Sequence, residues 1–118
     1  MTRIPVALMG LAATSLAVIS ALHLGHVLTG KKPFRATDAG IAEAVICAVL
    51  VYGIVALLRR STHGRGVALA AVAFAIVGFV VGLTFTVRGG DTIDIAYHAA
   101  VLPLLLVTLL VLRRRPTI

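Results

Sequence analysis

Four long apolar blocks follow one another along this chain, each bounded by polar, glycine- or proline-bearing punctuation. The first runs from Ile4 to about Leu28, the second from Asp38 to Leu58, the third from Gly66 to Val87 and the fourth from Thr92 to Leu112. Each holds about 21 to 25 residues, and a helix needs about 20 apolar residues to cross a bilayer. Membrane-spanning strands would be about half as long and would alternate polar with apolar positions. The pattern therefore predicts an all-α integral membrane protein. Its four-helix transmembrane bundle should run antiparallel, up-down-up-down, with short loops, as one transmembrane domain over residues 1–118.

The punctuation has local reasons. Pro5 suits a first helical turn, where a missing N–H costs little. Gly30 and Pro33 break the chain after the first block, and Thr37 or Asp38 can cap the next helix. Arg59-Arg60, Arg88-Gly89-Gly90 and Arg113-Arg114-Arg115-Pro116 close the other three. Arg3 followed by Ser15 and Ala17 also fits a signal peptide cut after Ala17. Apolar sequence continues through Leu24, so a retained helix is the better reading. Pro103, inside the fourth block, frees the carbonyl of Ala99 and predicts a kink.

Small residues recur at four-residue spacing: Ala13, Ala17, Ala21 and Gly25; Gly40, Ala44 and Ala48; Ala71 and Ala75; Ala96 and Ala100. In lipid such stripes let helices approach closely. Gly78 and Gly82 make a GxxxG pair, read here as helix packing within the bundle or as a homodimer contact.

Composition sharpens the class. Hydrophobic residues make up 60% and charged ones 13%, against about 25% charged in soluble domains. The formal charge is +7, but the basic residues sit at block ends. Arg59, Arg60, Arg113, Arg114 and Arg115 read as topology anchors that can also meet lipid headgroups. No basic face with interleaved aromatics exists, which excludes nucleic acid as a partner. Seven arginines flank one side (Arg3, Arg59, Arg60, Arg65, Arg113, Arg114, Arg115) against Lys31, Lys32, Arg35 and Arg88 on the other. That bias places both termini in the cytoplasm of a cell-membrane protein. The single cysteine, Cys47, permits no internal disulfide and reads as a small core residue.

The candidate chemistry lies at the end opposite the termini. At a rise of about 1.5 Å per residue, His23 and Glu43 sit about 7.5 Å inside the boundary and His98 about 9 Å inside. Three ionisable side chains from three helices thus share a level. His26, Asp38, Arg88, Asp91 and Asp94 form a shallower rim, where an acid at a helix start or a histidine at a helix end also satisfies the macrodipole. His23 and His26 are three apart, and Asp91, Asp94 and His98 follow i, i+3, i+7 spacing, each set on one face. His23, His26, Glu43, Asp94 and His98 are the candidates to bind a divalent metal or a haem, or to relay protons. Phe34 and Tyr97 read as interface aromatics.

No catalytic signature appears: the chain has no HExxH, no GxSxG and no phosphate-cradling glycine loop. Two functional readings stand. In the first, the chain is a non-enzymatic accessory or interaction subunit, partnered by the bilayer and by another membrane protein or a second copy. In the second, it is a redox or ion-handling protein built on the His/Glu layer.

Overall fold

The computed structural model describes residues 2–114. Four helices account for most of them: α1 (Arg3–Leu24), α2 (Ala36–Leu58), α3 (Gly64–Gly89) and α4 (Thr92–Arg113). All four are long and apolar enough to cross a membrane. Each packs on its neighbours in sequence, and α1 closes on α4, so the helices form an antiparallel four-membered bundle. Its long dimension of 51 Å exceeds the about 40–45 Å of a bilayer with its headgroups. This is a small multi-pass membrane protein.

α2, α3 and α4 start and stop within two residues of the expected positions, but α1 ends at Leu24 rather than near Leu28. The backbone explains the difference. His26 has φ 56°, in the left-handed region. The N–H of Val27 donates to the carbonyl of Leu22, and the N–H of His26 donates to that of His23. These are the two bonds of a Schellman helix end. The chain then folds back over the bundle, burying Leu28 and Phe34.

The core is built from Met9, Ala12 and Leu16 of α1, Leu50 and Leu57 of α2, Ala71, Val72, Ala75 and Phe79 of α3, and Val101, Leu105 and Leu112 of α4. The small-residue stripes meet it only in part. Ala13, Gly40, Ala71 and Ala75 face inward, whereas Ala17, Ala21, Gly25, Ala44, Ala48, Ala96 and Ala100 are exposed. Helices that are apolar all round carry no hydropathy signal for their inner face. α1 instead buries Pro5, Met9, Ala12, Leu16, Ile19 and His23, steps of three or four residues on a different face. Pro103 lies on the exposed face of α4, which runs on through it.

Two connections lock the end that carries the polar residues. Gly30 and Gly90 pair as an antiparallel bridge, and the N–H of Lys31 donates to the carbonyl of Gly89 at 2.7 Å. A side chain at Gly30 would run into the Gly89 carbonyl and the Phe34 ring, and one at Gly89 into the Lys31 carbonyl. Only glycines allow these loops to cross so closely.

Candidate functional site

Under that crossing, side chains from α1, α2 and α4 join in one row. Nδ1 of His23 donates to Oε1 of Glu43 at 2.6 Å. Nε2 of the same ring lies 3.3 Å from Oδ2 of Asp94. Oδ1 of Asp94 lies 3.2 Å from Nδ1 of His98, and that nitrogen also donates to the backbone carbonyl of Asp94 at 2.8 Å. The order is Glu43, His23, Asp94, His98. His23 and Asp94 are fully buried, and Glu43 and His98 nearly so.

Local packing sets the row. Ser20, one turn before His23, donates its hydroxyl to the carbonyl of Gly40 at 2.6 Å. A Cβ on Gly40 would stand 2.7 Å from Cγ of Leu24, so glycine lets the start of α2 lie against the end of α1. Asp91 caps α4 by accepting from the N–H of Ile93, which leaves Asp94 one turn inside the helix. From there its side chain reaches inward. Phe34 covers His23, with ring centroids 5.4 Å apart. Phe79 meets the edge of His98 at 5.1 Å.

One feature of the row stands out chemically. The contacts of Asp94 with the two rings have ion-pair distances but not hydrogen-bond alignment. Nε2 of His23 and both carboxylate oxygens of Asp94 are buried without a hydrogen-bond partner. Buried polar atoms are nearly always partnered. One donor atom each from His23, Glu43 and Asp94 falls within 4.8 Å of the other two.

The candidates named from sequence divide clearly. His23, Glu43 and His98 come together as expected. Asp94 is not part of a shallow rim with a capping role; Asp91 is the cap, and Asp94 is the centre of the row. His26 is exposed and does not share the face of His23, because it lies beyond the helix end in a left-handed conformation. Asp38 is also exposed. Phe34 and Tyr97 are not boundary aromatics. Phe34 is buried on His23, and the hydroxyl of Tyr97 pairs with that of Ser15 at 2.7 Å inside the bundle. Gly78 faces the side chain of Ile46, and a Cβ on Gly82 would stand 3.3 Å from Nε2 of His98. Arg59, Arg60, Arg113 and Arg114 are exposed at the opposite end, and Arg115 lies outside the described residues. Sequence reasoning passed over Ser20, although its spacing of three from His23 puts both on one face.

No family model, no curated protein and no solved structure matches this chain. What the site can do must come from its geometry.

That geometry narrows the chemistry. The carboxylate of Asp94 bridges the two imidazoles, within 3.3 Å of one and 3.2 Å of the other. No gap for a porphyrin lies between them, so a haem held by both rings does not fit. The row passes from α2 through α1 to α4, and its last step, Asp94 to His98, goes one turn along α4. Deeper in the bundle Leu16, Leu50, Val72 and Leu105 are fully buried, as is Thr108.

Proposed function

We propose that this small multi-pass membrane protein handles a cation, and that the Glu43–His23–Asp94–His98 row is its working centre. One observation carries the reading: Nε2 of His23 and both carboxylate oxygens of Asp94 are buried off hydrogen-bond alignment, with only one another and the His98 ring as ion-pair neighbours at 3.2–3.3 Å. Two carboxylates in an apolar setting demand positive charge nearby, because isolated buried ions are costly. A bound cation would supply it. On the topology that the arginine bias supports, with cytoplasmic termini, the row lies near the outer face of the membrane.

The competing reading is an accessory subunit in which the row only clamps helices together. Thermal unfolding of the purified full chain in detergent separates the two. The measurement is made in turn with protons, Na⁺, K⁺, Mg²⁺, Ca²⁺, Mn²⁺ and Zn²⁺ as the varied cation. A cation bound only by the folded state adds about 2.7 kcal/mol at a hundred times its Kd. At least one cation should raise the midpoint for the native chain and leave Asp94→Asn unmoved. If none does, the row is a clamp and the accessory reading takes its place.

A further inference from the structure

We infer that the row binds one divalent transition-metal ion, with Nε2 of His23 and the carboxylate of Asp94 as ligands and Glu43 as the group that orients His23. This inference rests on the cation-centre reading and names its ion.

The three unpartnered atoms are themselves a donor set: one imidazole nitrogen and two carboxylate oxygens. Two ligands that each lie about 2.1 Å from an ion at tetrahedral angles stand about 3.4 Å apart. Nε2 of His23 and Oδ2 of Asp94 are 3.3 Å apart. Glu43 stands 2.6 Å from the other nitrogen of the ring. That is where a carboxylate fixes the orientation and tautomer of a ligating histidine. Nδ1 of His98 stands 3.2 Å from Oδ1 but gives its proton to the Asp94 backbone carbonyl, which leaves the lone pairs of both carboxylate oxygens free. Charge agrees as well: Glu43 and Asp94 together carry the two negative charges that a divalent ion balances.

The donor types choose among ions. Mixed imidazole and carboxylate ligands suit manganese, iron, cobalt and zinc. Calcium and magnesium take oxygen ligands, and copper(I) favours thiolate or thioether. The only thiol, Cys47, donates instead to the carbonyl of Ala13 at 3.2 Å. A way in is also present. A cavity of about 560 Å³ at this end is lined by His26, Thr29, Phe34, Arg35 and Asp38 among others. Phe34 lines that cavity and also packs on His23, so displacing one aromatic ring would connect the two.

The test uses the full chain in detergent, stripped with chelator and titrated with Co²⁺ as the optical probe and Zn²⁺ as competitor. The expected result is about one ion per chain, with visible cobalt bands that zinc removes. His23→Gln and Asp94→Asn should abolish binding, and Glu43→Gln should weaken it about 10–100-fold. His63→Ala, at the opposite end of the bundle, should leave it unchanged. Circular dichroism shows whether each variant keeps its helices. Should the ligand variants fail to fold, pulsed electron paramagnetic resonance of the native chain loaded with Mn²⁺ decides, and nitrogen modulation from one imidazole is expected. The assignment is overturned by a folded native chain that retains no transition metal, by binding that survives in folded His23→Gln, or by the absence of nitrogen modulation. If Na⁺, Ca²⁺ or protons alone stabilise the chain, the metal falls and the cation centre stands.

Discussion

Oδ2 of Asp94 on α4 lies 3.3 Å from Nε2 of His23 on α1, and this contact joins the last helix to the first at the polar end of the bundle. Both side chains are fully buried. Removing one partner of a buried charged pair strands the other, at about 3–5 kcal/mol. Asp94→Leu should therefore destabilise the folded chain by about that much in a denaturant titration in detergent. Asp91→Ala, three residues earlier, removes only a helix cap and should cost about 1 kcal/mol. Equal losses at the two positions would mean that Asp94 acts only at its own helix end.

Phe34 is the cover of the row. Its ring is buried against His23, although it comes from a connection and not from a helix. Phe34→Ala should open Glu43 and Asp94 to a carboxyl-modifying carbodiimide, read as faster labelling by mass spectrometry. An unchanged rate would show that something other than this ring shields the carboxylates.

Gly40 and Gly78 make a paired test of close helix approach. A Cβ on Gly40 would stand 2.7 and 2.9 Å from Leu24 side-chain atoms and 3.1 Å from its backbone nitrogen. A Cβ on Gly78 would meet the far end of the Ile46 side chain, which can turn aside. Gly40→Ala should lower stability by about 1–3 kcal/mol, as overpacking does, and Gly78→Ala by less. It should also disturb the row, since Ser20 donates to the Gly40 carbonyl beside it.

Orientation is open to a labelling experiment, because Cys47 is the only thiol. In a Cys47→Ala background, Lys32→Cys should react with an impermeant reagent added outside intact cells, and Thr62→Cys should not. The reverse pattern inverts the topology and moves the row to the cytoplasmic side.

Much of this architecture was legible in the sequence, for a plain reason: bilayer thickness fixes helix length, so the four blocks mark four helices. The inner faces were harder to read. A helix apolar all round shows no contrast between lipid and core, so Ala17, Ala21, Ala44 and Ala48 looked like packing residues and face outward. The ionisable and several hydroxyl residues served better: Ser20, His23, Glu43, Thr86, Asp94, His98 and Thr108 are buried, although Thr14 and Thr84 face outward. Asp94 was a candidate but was set in the shallower rim, because an acid in a first helical turn already has an explanation in the helix dipole. His26 was misplaced because three-residue spacing implies a shared face only while the helix continues. The burial of Phe34 depends on a loop that folds back, which no local pattern encodes.

The most direct measurement is nitrogen-15 magnetic resonance of the His23 ring in the full chain in lipid. Glu43→Gln should shift chiefly Nδ1 and Asp94→Asn chiefly Nε2, since each carboxylate faces its own nitrogen of the one ring. A His23 signal that ignores both substitutions would contradict that arrangement.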